Sequence, residues 1–117
     1  MRRILVIDDE PLVALMIRRT LEPGHEVTVL HSGRAALLLF EQGVRFDAIV
    51  TDLQMPDGDG AWLHGELARL DAAQARRMLF LSGAPHPFLE GSGLRWLLKP
   101  FHAKELIGQI EAAATAP

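Results

Sequence analysis

The chain contains no cysteine. Disulfides, thiolate metal ligands and a cysteine nucleophile are thereby excluded, and the absence fits a reducing compartment. Long hydrophobic runs are also missing. Runs such as Ala35 to Phe40 are far shorter than the roughly 20 apolar residues that span a bilayer. Arg2-Arg3 leads straight into a strand-like run instead of the apolar stretch of a signal peptide. No dense Lys/Arg tract occurs, and 12 basic against 15 acidic residues leave a net charge of −3. Such a balance lacks the basic footprint of direct nucleic-acid binding. No repeat, low-complexity tract or charge block divides the 117 residues. The length suits one domain over residues 1–117, expected to be cytoplasmic and a monomer or weak homodimer.

What the chain does have is an alternation of short apolar runs with helix-period segments, in an ordinary globular composition of 49% hydrophobic and 23% charged residues. Ile4-Leu5-Val6-Ile7, Ala48-Ile49-Val50 and Met78-Leu79-Phe80-Leu81 are apolar at successive positions, as strands buried on both faces of a parallel sheet must be. Val27 to Leu30 and Leu94 to Leu98 are more mixed and suit the edges. Helices are expected from Pro11 to Glu22, Gly33 to Glu41 after an N-capping Ser32, Ala61 to Leu70, and His102 to Ala114. Their inward faces are expected to be Leu12, Leu15, Met16 and Ile17, then Leu63, Leu67 and Leu70, and finally Leu106, Ile107 and Ile110. Five strands alternating with helices give a doubly wound α/β fold with a five-stranded parallel sheet. Pro85, Pro87, Gly91 and Gly93 crowd Ala84 to Gly93, so a fourth helix there is expected to be shortened or irregular.

Ligands of an open parallel sheet bind beyond the carboxyl ends of its strands. Four of the five runs deliver a reactive side chain to that edge: Asp8-Asp9, Asp52, Ser82 and Lys99. Three carboxylates brought together repel by roughly 4 kcal/mol per pair at ~4 Å and an effective dielectric of ~20. Such a cluster requires a cation or a retained proton. An all-oxygen donor set suits Mg²⁺. A carboxylate can attack phosphorus, a neighbouring ammonium can neutralise the phosphoryl oxygens, and a hydroxyl can donate to one of them.

Val6-Ile7-Asp8-Asp9-Glu10, Asp52-Leu53-Gln54-Met55-Pro56 followed by Gly60, Ser82-Gly83 and Lys99-Pro100-Phe101 together make the chain resemble the response-regulator receiver domain over essentially its whole length. The resemblance implies strand order 2-1-3-4-5. It also implies that Asp52 is the phosphorylated residue, with Lys99 and Ser82 contacting the phosphoryl group. Asp9, Asp8 through water, Asp52 and the Gln54 carbonyl would hold Mg²⁺. The phosphoryl donor would be a sensor histidine kinase or histidine phosphotransfer protein, and the readout a downstream protein target. The domain would act as a signalling switch, catalysing only its own phosphotransfer and dephosphorylation, and either stand alone or belong to a longer protein. The resemblance further implies a cis Lys99–Pro100 peptide. Two departures lie on the output face: the region between Ser82 and Lys99 is several residues short, and Trp96 stands where Tyr or Phe is common.

Plainer readings attend each residue. A lone strand-end Asp is usually a turn or cap residue, and a lone Lys is usually a solvated one. Asp57-Gly58-Asp59-Gly60 lacks calcium-loop spacing and reads as a flexible turn. The five histidines show no metal-ligand spacing, and Arg76-Arg77 reads as a solvated connection. A small-molecule phosphohydrolase would need Asp-x-Asp at the first strand end and a cap. A flavin carrier would need a Ser/Thr/Gly-rich phosphate loop there.

Overall fold

The apolar runs become strands β1 (Arg2–Ile7), β2 (His25–Leu30), β3 (Ala48–Asp52), β4 (Met78–Ser82) and β5 (Arg95–Leu98). In the computed structural model, which describes residues 1–117, they pair in parallel in the order β2-β1-β3-β4-β5. The helices are α1 (Pro11–Leu21), α2 (Gly33–Glu41), α3 (Gly60–Leu70), α4 (Ala72–Ala75) and α5 (Ala103–Ala114). The Lys99–Pro100 peptide is cis.

Successive strand residues point to opposite faces, and this alternation sorts the core into two halves. Ile4, Val6, Val50, Leu79 and Leu81 meet Ile17, Leu21, Leu106 and Ile110 of α1 and α5. Leu5, Ile7, Ile49 and Phe80 meet Phe40, Leu63 and Leu67 of α2 and α3. Full burial of each such side chain favours folding by about 1.5–3 kcal/mol. Register then sets the functional edge. Ile7 pairs with Thr51, Asp52 with Leu81, and Ser82 with Leu98, so the residues that end these strands emerge side by side.

Three expected helix faces need correction. In α1 the buried residues are Ala14, Ile17 and Leu21, while Leu12 (75% exposed), Leu15 and Met16 (69%) face outward. The buried set recurs at spacings of three and four, and the small Ala14 lets the helix lie close on the sheet. Leu70 and Ile107 are likewise exposed.

Between β4 and β5 there is no helix. His86 O accepts from the backbone N–H groups of Leu89 (2.9 Å) and Glu90 (3.0 Å), forming one compact turn. Leu89 is buried, and Phe88 packs edge-to-face on Phe80 with ring centroids 5.5 Å apart. Helix α4 instead precedes β4, its start capped by Asp71, whose side chain accepts from Gln74 N. Arg77 is not a free surface residue. Its guanidinium donates to Asp47 O (3.2 Å) and to Ala114 O (2.6 Å) at the end of α5.

Candidate functional site

Asp8 leaves β1 already buried, with 1% of its surface exposed. One carboxylate oxygen, Oδ1, accepts from Glu10 N at 2.9 Å. The other, Oδ2, is buried without any hydrogen-bond partner. Burial pushes the Asp8 carboxyl above its ordinary range, and the charges of Asp52 and Asp9 push the same way. The Glu10 hydrogen bond and Lys99 oppose the shift without cancelling it. An orphaned buried carboxylate oxygen costs about 1–3 kcal/mol or more.

Asp9 is partly exposed, and the side chain of Asp52 is 13% exposed. One carboxylate oxygen from each of Asp8, Asp9 and Asp52 lies within 4.8 Å of the others. Among the His, Asp and Glu residues this is the one group that could hold a metal ion. Its all-oxygen donors, its excess of negative charge and the unpartnered Asp8 Oδ2 all fit a hard divalent cation.

Lys99 follows β5 and brings its ammonium to 3.2 Å from Asp52 Oδ1. Its backbone N–H donates to Ser82 O at 2.8 Å, so the lysine and the serine are fixed to each other through the main chain. The Ser82 hydroxyl donates to Ala84 O at 2.5 Å, which ties it to the β4–β5 loop.

Gln54 sits on the loop after β3, exposed. Gly60 N donates to Leu53 O at 2.9 Å and closes the base of that loop. A Cβ at Gly60 would stand 2.8 Å from Asp52 O, so only glycine lets α3 begin this close to the acid.

Asp8, Asp9, Asp52 and Lys99 are thus brought together. Ser82, the last residue of β4, and Gln54, on the loop after β3, flank them. Sequence reading missed His31, whose Nδ1 lies 2.9 Å from Asp8 O. The signal was available, because His31 directly follows β2 and therefore sits on the same edge. Within the turn Asp57–Gly60, Asp59 caps α3 by accepting from Trp62 N.

A family model described as the response regulator receiver domain matches residues 4–111. The chain is 35% identical over 114 residues to the transcriptional regulatory protein TcrA of Mycobacterium tuberculosis, covering 94% of this chain and 45% of that protein. It spans less than half the length of such relatives. The receiver domain of the Francisella response regulator 1452 superposes with a TM-score of 0.83 at 28% identity, covering 97% of both chains. TrrA of Thermotoga maritima, solved in complex with Mg²⁺ and BeF, superposes with a TM-score of 0.81 at 27% identity, covering 97% of this chain and 99% of that one. Receiver domains are signalling switches of two-component systems, partner with histidine kinases and bind Mg²⁺ at an acidic pocket. With the family match running from β1 into α5, this chain belongs to the response regulator receiver domain family.

Proposed function

We propose that this receiver accepts a phosphoryl group on Asp52 from a phosphohistidine partner and relays the event through Ser82 and the β4–β5 loop. The observation that carries this reading is the Lys99 ammonium 3.2 Å from Asp52, beside an acidic trio with an orphaned oxygen. An Asp52 carboxylate oxygen attacks phosphorus, a P–O bond forms, and the P–N bond to the donor imidazole breaks with its electron pair returning to nitrogen. Lys99 balances the charge that spreads over the equatorial oxygens. Mg²⁺, held by Asp8, Asp9, Asp52 and the Gln54 carbonyl, would supply further neutralisation of those oxygens and relieve the repulsion among the acids.

Ser82 then exchanges its hydrogen bond to Ala84 O for one to a phosphoryl oxygen, releasing the start of the loop. The donor has a surface to approach. Val13, Met16, Ile17, Pro100, Phe101 and Leu106 line an apolar groove of about 380 Å³ that opens beside Lys99. Incubation with acetyl phosphate and Mg²⁺ tests the reading, the expected product being one base-labile acyl phosphate. Absence of any adduct under those conditions would count against it.

A further inference from the structure

The loop that carries Gln54 is fastened from outside the acidic site, by the first turn of α2. Gly33 N donates to Gly58 O at 2.8 Å, and Arg34 N reaches Asp57 O at 3.5 Å. The Arg34 guanidinium pairs with the Asp57 carboxylate at 3.0 Å and lies over the Trp62 ring, 4.9 Å from its centroid. Ser32 fixes the start of α2 by accepting from Ala35 N at 3.2 Å.

This junction has no spare room. A Cβ on Gly33 would stand 2.3 Å from Gly58 O, and one on Gly58 would stand 2.9 Å from Arg34 N. The loop meets α2 by bending through left-handed conformations, φ 56° at Asp57 and 89° at Gly58. A left-handed non-glycine residue such as Asp57 persists where the surroundings hold it.

None of these residues belongs to the acidic cluster, and none is used in the phosphotransfer scheme. Asp8, Asp9 and Asp52 are placed by strand ends, but the Gln54 carbonyl is placed by its loop. That loop has two anchors: the Gly60–Leu53 hydrogen bond at its base and the α2 contact at Gly58 and Asp57. Mg²⁺ demands near-ideal octahedral geometry, so a carbonyl ligand that drifts by tenths of an ångström binds poorly. Resting on the reading of Gln54 as a metal ligand, we infer that Gly33 and Arg34 are positioning residues that set Mg²⁺ affinity through the β3–α3 loop. Arg34 and Asp57 are 62% and 65% exposed, so their ion pair alone is weak. The cation–π contact with Trp62 gives it direction.

The test is Mg²⁺ titration by thermal shift on the parent, Gly33→Ala, Arg34→Ala and, as a control, Arg45→Ala. Arg45 pairs with Asp71 at 2.6 Å and bonds Phe40 O at 2.9 Å, near the other end of α2. Gly33→Ala should weaken Mg²⁺ binding about tenfold, the usual scale for removing support behind a metal ligand. Arg34→Ala should weaken it about threefold, and Arg45→Ala should lower the melting temperature without changing the affinity. In a Trp96→Phe background, Trp62 emission should respond to Mg²⁺ with Arg34 present and lose that response in Arg34→Ala. If the parent binds and both α2 variants bind as tightly, the inference fails while the acidic site stands. If the parent itself shows no Mg²⁺ effect, the site reading fails and the inference with it. Should Gly33→Ala not fold, Arg34→Ala and the Trp62 signal decide.

Discussion

The Lys99 ammonium lies 3.2 Å from Asp52 Oδ1, joining β5 to β3 across the end of β4. Ser82 closes β4 between them, and Lys99 N is bonded to its carbonyl. A cation is thereby set beside three acids that would otherwise repel one another.

Two substitutions should move stability in opposite directions from this one cause. Lys99→Ala removes the compensating charge and, without Mg²⁺, should destabilise the fold by about 1–3 kcal/mol. Asp8→Asn removes a buried negative charge whose Oδ2 has no partner and should stabilise the metal-free protein by a similar ~1–3 kcal/mol. The same Asp8→Asn protein should lose most of the stabilisation that millimolar Mg²⁺ gives the parent. Urea melts with and without Mg²⁺ measure all three effects. A destabilised metal-free Asp8→Asn protein would contradict this account of the cluster.

The β4–β5 loop should respond to the state of the site. Ser82 Oγ holds Ala84 O at 2.5 Å, while Leu89 and Phe88 anchor the middle of the loop. Beryllofluoride with Mg²⁺ should change hydrogen exchange across residues 84–93 and the exposure of Trp96, which packs partly buried on the same side of the sheet. Ser82→Ala should leave that exchange insensitive to the mimic. Equal responses in the two proteins would remove Ser82 from the relay.

His64 should supply a pH dependence of stability away from the site. Its ring packs edge-to-face on Phe80 and Phe88, with centroids 6.0 and 5.9 Å away. Burial lowers its pKa below the ordinary 6.5. Below that ordinary value the unfolded chain binds the proton more readily than the fold does. The stability His64 contributes is therefore complete above pH 6.5 and lost as pH falls through the lowered value. Asp8 acts with the opposite sign, since its raised carboxyl takes up a proton more readily in the fold. The difference between the parent and His64→Phe isolates the histidine. The parent should lose more stability than His64→Phe between neutral pH and pH ~5. Parallel curves would contradict the assignment.

Much of this was legible in the sequence because strands buried on both faces announce themselves. Ile4–Ile7 and Met78–Leu81 have nowhere to lie but the centre of a parallel sheet, and the next residue along the chain from each must reach the ligand edge. Asp8 and Ser82 were placed by that reasoning, and Asp52 and Lys99 by its extension to the neighbouring strands. Side-chain faces on α1 were less legible. Leu12, Met16 and Ile17 are equally apolar, and only the approach of the helix to the sheet selects Ala14, Ile17 and Leu21 for burial. Helix α4 is four residues long, too short for a periodic pattern to register. Arg77 and the Arg34–Trp62 stack were illegible because each depends on partners distant in the chain, brought together by the fold.

The most direct test is to locate the phosphoryl group by residue. The parent, treated with acetyl phosphate and Mg²⁺, is trapped with borohydride, which reduces an acyl phosphate to the alcohol, and its peptides are sequenced by mass spectrometry. The account predicts reduction at Asp52 alone, with none in Asp52→Asn and a much lower yield in Lys99→Ala. Reduction at Asp8 or Asp9 in the parent, or an undiminished adduct in Asp52→Asn, would contradict it.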